Sequence, residues 1–434
     1  MFHFYLRACV RATLVASTLL AAAAYAAPGP SPVSEKLSPR ELVREVLRHN
    51  QGIAAMQAAV DAARAQIESA GALGDPMLSY SMAPGTLGPQ AEAFGQSIKI
   101  SQSFPWPGTL DLRTGAAKAE ARSATQQLAD LRLQLAAQAR AAYAQWYYVH
   151  RALAVNKQNQ ALIQHLRKIA GSAYANGKGS QQDVLQAEVE LTRLKNQALE
   201  LERRRHTVRA KINRLVDQPP RRSLPPPADL PPPRDLPAFA GLRATALDRY
   251  PVLKSLDAQI AASHARVDLA EKDSYPTFTV MAGYNSMWAQ PAMRPMVGVG
   301  INIPFGGNHE GEIDAAHAKL RQSRAKLADA RSQLLSRLDQ AYAMATQARH
   351  TIRLYSKKLL PLAKQNLQAA ENDYRNGSGD FLTLVNAERQ YLMAKLERAQ
   401  ARANFFTQLA ALNYRTGGAL FPEAPAARVQ DPLP

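Results

Sequence analysis

Tyr174-Ala-Asn-Gly-Lys-Gly-Ser-Gln-Gln-Asp-Val-Leu-Gln-Ala-Glu188 returns 200 positions later as Tyr374-Arg-Asn-Gly-Ser-Gly-Asp-Phe-Leu-Thr-Leu-Val-Asn-Ala-Glu388, without a gap. Tyr, Asn, both Gly, Ala and Glu are identical, and Val184-Leu185 becomes Leu384-Val385. Each copy reads as a tight glycine turn followed by a capped helix start. Long helical pattern lies on both sides, so each copy is the tip of a helical hairpin. The chain is therefore read as two copies of one unit, residues 27–218 and 238–420.

Working outward, the same order of elements appears twice. Ser38-Pro39 caps a first helix that runs to about Ala70. After Asp75-Pro76, Leu78-Ser-Tyr80-Ser-Met82 and Gln96-Ser-Ile98-Lys-Ile100 alternate apolar and polar, which predicts a β-hairpin over 75–104 across a Pro/Gly loop. Residues 109–216 then form a coiled-coil hairpin, with a single helix from Leu110 to about Ala170 and a return over Gln181–Val216. The first helix and the returning one together match the length of the single long one. The unit is thus a rod, with the strands at one end and the glycine tip at the other.

Residues 219–237 are proline-rich and form an extended, fairly stiff linker. The second unit repeats the order: a helix over Leu242–Glu271, a β-hairpin over 275–305 and a coiled-coil hairpin over 309–415 with a kink at Pro361. Residues 421–434 read as a tail. At the other end, Met1–Ala26 reads as a secretory signal, with Arg7 and Arg11 before the apolar run Ala12–Ala24 and a small-residue site at Ala24-Tyr25-Ala26. Cys9, the one cysteine of the 434 residues, lies inside that signal. The mature chain then has no disulfide, no thiolate metal site and no lipidated N-terminal cysteine.

Lys and Arg exceed Asp and Glu by 53 to 35, a net +18. The basic residues are interleaved with acids along the helices, as in Leu201-Glu-Arg-Arg-Arg205, and no nucleic-acid reader motif accompanies them. A solvated basic face with no nucleic-acid partner is the reading. Nothing marks an enzyme. The nine histidines are scattered, Asn308-His-Glu-Gly-Glu312 lacks the second histidine of a zinc helix, and no phosphate loop or nucleophile elbow appears. No cofactor, catalytic residue or metal site is expected.

Four strands in one chain cannot close a membrane barrel, and open edges do not survive in lipid. Several chains must pool strands, and three would give twelve. Leu78, Tyr80, Ile98, Ile100, Phe278, Val280, Val297, Val299 and Ile301 would face lipid. Ser79, Ser81, Ser97, Lys99, Thr279, Gly298 and Asn302 would face water. The aromatics Phe104, Trp106, Tyr275, Tyr284, Trp288 and Phe305 at strand ends suit the membrane interfaces.

The duplicated order, Asp75-Pro76, Ser101-Gln-Ser-Phe-Pro-Trp-Pro-Gly108 and the two tips resemble the TolC family of outer-membrane efflux proteins. The resemblance implies a mainly α fold with a membrane β-barrel, a homotrimer with a 12-stranded β-barrel on a long α-helical barrel. It implies an exit duct in the outer membrane of a Gram-negative bacterium, reaching through the periplasm. A periplasmic adaptor (membrane fusion protein) and an inner-membrane RND-type transporter would be its partners. Gly74-Asp-Pro-Met77 and the Phe-Pro-Trp-Pro-Gly stretch are similar to the heavy-metal efflux branch (copper/silver or cobalt/zinc/cadmium), and Met77, Met82, Met281, Met287, Met293 and Met296 gather around the strands. A duct for drugs and other organic compounds, a type I secretion duct, and a soluble periplasmic coiled-coil adaptor are the alternatives.

At the tips the resemblance places adaptor docking on Gly177, Gly179, Val184, Leu185, Gly377, Gly379 and Leu384. It places a gate at Asp183 and Tyr374, joined by a phenol–carboxylate link, with Thr383 and Asn386 at the pore constriction. The family's gate arginine is replaced by Gly379, so that link is missing or supplied by Lys178 or Arg375. The family's pore-ring aspartates fall on Thr383 and Asn386, which removes the source of strong cation selectivity there.

Overall fold

A computed structural model describes residues 36–84, 95–177, 179–288, 290–304 and 308–421. The signal (1–26), most of the Pro/Gly loop, Lys178, Phe305 and residues 422–434 of the tail lie outside them.

The first repeat comprises α1 (Pro39–His49), α2 (Gln51–Gly71), β1 (Met77–Met82), β2 (Gln96–Phe104), α3 (Thr109–Ala175) and α4 (Gln181–Leu215). The second comprises α5 (Phe239–Arg249), α6 (Pro251–Lys272), β3 (Thr277–Asn285), β4 (Pro295–Asn302), α7 (Asn308–Leu354), α8 (Leu360–Arg375) and α9 (Phe381–Arg415). Between α7 and α8 a π-helical turn covers Tyr355–Leu359. Pro361, two residues on, has no N–H and its ring would crowd the carbonyl four residues back, and the widened turn absorbs both.

The first helix of each repeat is broken in two, not continuous. Asn50 has extended backbone (φ −71°, ψ 118°), and its side-chain oxygen accepts from the Gly52 N–H at 3.0 Å. Its amide nitrogen donates to the Leu215 carbonyl at 2.9 Å. In the second repeat Tyr250 breaks the helix with φ −67° and ψ 117°, ahead of Pro251 at the first position of α6. Proline disfavours helical backbone in the residue before it.

These breaks fix the rod. At 67 residues, α3 extends about 100 Å at 1.5 Å per residue. It packs against α2 and α6 over one part of its length and α4 and α9 over another. The end of α4 meets the start of α2, where Asn50 holds Leu215 and Gln51 donates to Asp217 at 2.9 Å. In the second repeat α6 starts where α9 ends, with the Tyr250 hydroxyl donating to that of Tyr414 at 3.1 Å. One long helix thus runs beside two stacked shorter ones, twice.

The linker between the repeats is docked. Leu37 pairs with Pro227 as an isolated parallel bridge. The buried Tyr143 hydroxyl donates to the carbonyls of Leu37 (3.0 Å) and Ala228 (2.7 Å), and Trp146 Nε1 donates to the Pro225 carbonyl at 3.1 Å. Burial, then the Asp229 charge, pushes the Tyr143 phenol far above its usual range, so it remains a donor. Its ring lies in an apolar cluster with Leu42, Val46, Ile212 and Phe406.

The four strands form one antiparallel sheet in the order β1-β2-β3-β4. β2 and β3 join the two repeats across a seam running from Ser97↔Asn285 to Phe104↔Phe278. The register puts Leu78, Ile100, Ala282 and Val297 in one row and Tyr80, Ile98 and Tyr284 in the next, all on one face. Val280, Val299, Phe278 and Ile301 continue that face. Ser79, Lys99 and Gly283 share the opposite face, as do Ser81 and Ser97, whose hydroxyls meet at 2.9 Å. The apolar face is bare: Val297 is 86% exposed and Val299 69%.

Candidate functional site

The far end of the rod carries the two glycine tips. Gly177 (φ +70°) and Gly377 (φ +76°) turn the chain in the left-handed region, where a side chain is strained. Gly179 and Gly379 are needed for space instead. A Cβ at Gly179 would lie 2.9 Å from Ala173 Cβ, and one at Gly379 would lie 2.9 Å from Asp373 Cβ. Gly377→Ala is therefore expected to destabilise the second tip by about 1–2 kcal/mol, the usual left-handed penalty, read as a lower unfolding midpoint. Substituting Ala for Gly115, which lies mid-helix with open space around it, should not lower that midpoint.

Each helix after a tip is capped. Ser180 Oγ accepts from the Asp183 N–H at 3.2 Å while Asp183 Oδ2 accepts from the Ser180 N–H at 3.4 Å, a full capping box. Asp380 caps α9, its Oδ1 accepting from the Thr383 N–H at 2.6 Å. Those Thr383 bonds hold the Asp380 carboxyl below its usual range. Removal of the Ser180 side chain should cost about 0.5–2 kcal/mol.

The carboxylate of Asp183 is thus engaged on its own helix start. No hydrogen bond joins Asp183 to Tyr374 within the chain. The phenol–carboxylate link is replaced by proximity alone: partial burial first, then the charge of Asp183, raises the Tyr374 pKa and keeps it a phenol. Its ring stands edge-on to Phe381, centroids 5.6 Å apart. Tyr174, with Gln181 in place of that phenylalanine, is 50% exposed.

The other expected residues separate by burial. Leu185 is 57% exposed at the first tip and Val184 is partly buried. Leu384 is 1% exposed, so it holds the hairpin together and is no contact surface. The apolar residue offered at the second tip is its neighbour Leu382, 51% exposed. Thr383 and Asn386 are exposed on α9 and Arg375 is exposed at the end of α8, while Lys178 lies outside the described residues.

A cluster of Ile163, Leu166, Ala170, Ala187, Leu191, Leu367, Phe381, Leu384 and Val385 ties the two hairpins to each other. Two ion pairs border it that the sequence reading missed. Arg389 on α9 reaches Glu190 on α4 at 2.9 Å, hairpin to hairpin, and Arg167 pairs with Glu188 inside the first hairpin. Alignment of the two repeats marks them, because Arg167 and Arg389 each stand opposite an apolar residue of the other copy, Leu367 and Val189. Among the described residues no group of three or more His, Cys, Asp or Glu could hold a metal ion, and no helix is long and apolar enough to cross a membrane.

The profile of the family described as outer membrane efflux protein matches residues 42–217 and 242–418, one stretch per repeat. Nodulation protein T of Rhizobium leguminosarum bv. trifolii is 22% identical over 195 residues, 43% of this chain and 42% of that protein. The chain thus spans less than half the length of that curated relative. Among solved structures the fold is similar to the outer-membrane channel OprN (TM-score 0.75, 21% identity, covering 88% of this chain and 90% of that one). It is also similar to CusC, studied for folding and transmembrane channel formation (TM-score 0.77, 18% identity, 88% and 92%). The outer membrane protein VceC of Vibrio cholerae is a third (TM-score 0.74, 19% identity, 88% and 96%). With both repeats matched, the chain belongs to the outer membrane efflux protein family, the TolC-like channels of the outer membrane.

Proposed function

We propose that this protein is the exit duct of a tripartite efflux pump, a homotrimer whose three four-stranded sheets close a twelve-stranded barrel. The observation that carries the reading is the sheet itself. One face is apolar and bare, the other polar, and β1 and β4 are edge strands. Unpaired edge groups cost several kcal/mol each in lipid, so edges must meet edges of other copies. The smallest bacterial barrels need eight strands, and three copies supply an even number within the observed range. The mass of the purified protein in detergent tests this: a trimer is expected, and a monomer overturns it.

The tips are the adaptor-facing end, with Leu185, Val189 and Leu382 as exposed apolar contacts. A periplasmic adaptor and an inner-membrane RND-type transporter complete the pump. We place the gate at Asp183 and Tyr374 of the tips, beside Thr383 and Asn386. The double substitution Asp183→Ala with Tyr374→Phe is expected to raise single-channel conductance in planar bilayers, because it removes the Asp183 half of the α4 capping box and the carboxylate and hydroxyl that lie near each other at the tip. Unchanged conductance removes those two residues from the gate.

Heavy-metal ions are the cargo we infer. Met77, Met281 and Met296 stand on the polar face of the sheet in the register that holds Ser79 and Lys99. Thioethers suit Cu(I) and Ag(I), and transit needs no fixed site. A deletion strain is expected to become sensitive to one or two of copper, silver, zinc and cobalt. Broad sensitivity to dyes and antibiotics instead makes the protein a general duct and its methionines packing.

A further inference from the structure

Glu388 stands out among the carboxylates of the rod. It is 3% exposed, and its Oε2 has no hydrogen-bond partner among the described residues. Its counterpart 200 positions earlier, Glu188, has a side chain 47% exposed and is ion-paired with Arg167. The residue of α8 that matches Arg167 at the same offset is Leu367, itself buried in the tip cluster. The second repeat has therefore exchanged the cation for a leucine and kept the acid. The burial lies within a single chain, so assembly with other copies can only deepen it.

Three charged groups act on Glu388, from three helices. From α8 comes Glu371 and from α4 comes Glu190, both of like charge; from α9 itself comes Lys395, which rests over the Tyr391 ring at 4.2 Å. Arg389 and the exposed Arg193 of α4 are both held by Glu190, and Arg167 on α3 by Glu188. The remaining charges of α3 nearby, His165 and Lys168, are exposed, and its buried face brings Ile163, Leu166 and Ala170. Burial, then Glu371 and Glu190, pushes the Glu388 carboxyl up to about 8.

We propose that Glu388 is a proton-operated latch of the second tip. As the neutral acid it stays packed and holds α9 against α3, α4 and α8; loss of its proton to solvent favours the arrangement in which the tip swings out and the mouth of the duct widens. This rests on the duct reading above. The sign follows from linkage. In the packed tip the acid binds its proton more tightly than an exposed glutamate carboxyl, whose usual pKa is 4.5. Between the two values the packed state holds more protons, so each pH unit shifts the equilibrium up to about tenfold toward opening. Below that window, and above about 8, the two states titrate alike and the dependence is flat.

The test is conductance of the full-chain protein in planar bilayers from about pH 5 to 9, with Glu388→Gln alongside. The wild type is expected to gain up to about tenfold in its open-to-closed ratio per pH unit, levelling near 8. E388Q should stay at the low-pH value throughout, and Glu371→Gln should bring the plateau in at lower pH. An identical pH response in wild type and E388Q overturns the latch. Amide exchange of residues 381–392 supplies a readout independent of conduction: protection should fall with pH in the wild type and not in E388Q or Glu388→Met. Absence of conductance at every pH overturns the duct reading, while the exchange result still decides the latch.

Discussion

Val299→Arg is expected to abolish barrel formation. Val299 lies mid-strand in β4, opposite Val280, and is 69% exposed in the single chain on the face shared with Val297 and Ile301. An arginine on the lipid face costs about 2–4 kcal/mol near the midplane. In a trimer the substitution occurs three times, so the assembled barrel loses about 6–12 kcal/mol by the same figure. That is comparable to the whole stability of many folded proteins, about 5–15 kcal/mol. The check is partition into the outer-membrane fraction and a trimer band in detergent, both expected to disappear. Ser81→Lys is the control. Ser81 lies on the opposite face, where Lys99 already stands, and trimers should persist. Equal loss in both variants would mean that the apolar face does not meet lipid.

The strand faces were legible from sequence because alternation has a period of two and cannot be confused with a helix. The duplicated order and the glycine tips were legible for a similar reason: glycine and proline punctuate the chain at matched offsets. The breaks at Asn50 and Tyr250 were not. The apolar spacing runs through both, Asn50 is a polar residue like many on a solvated helix, and Pro251 is tolerated as readily at a helix start as it is avoided inside one. What identifies Asn50 as a junction is its bond to Leu215, 165 positions away, and no local signal carries that.

The tips show a second limit. Val184-Leu185 and Leu384-Val385 are nearly the same dipeptide reversed, yet Leu185 is exposed and Leu384 buried. The difference lies in company. α4 has α3 as its main neighbour, whereas α9 is packed by α3, α7 and α8 together. A repeat reveals which residues correspond; it does not reveal which copy sits inside. The same asymmetry strips Glu388 of its cation and leaves Glu188 with Arg167. Differences between the copies therefore follow the packing around each copy and not the repeat itself.

Tyr143 and Tyr342, matched positions of the two long helices at an offset of 199, give that argument its largest stability test. Tyr143 is fully buried, holds two backbone carbonyls with one hydroxyl and meets the Phe406 ring at 6.4 Å. Through it α3 grips both the entry to α1 and the linker that joins the repeats. Tyr143→Ala should cost about 3–5 kcal/mol, as for other large aromatic truncations in a core. Tyr143→Phe keeps the ring and the cluster but leaves the Ala228 carbonyl without that donor, worth about 1–3 kcal/mol. Tyr342, its counterpart in the second repeat, is partly buried with its ring 5.3 Å from Phe239. Tyr342→Phe should stay within about 0.5 kcal/mol of wild type. Unfolding of the three variants in detergent, followed by tryptophan fluorescence, ranks them. If Tyr143→Phe proves as mild as Tyr342→Phe, the linker is held by its prolines and Trp146 rather than by the tyrosine, and the two halves of the chain are joined less firmly than the buried hydroxyl implies.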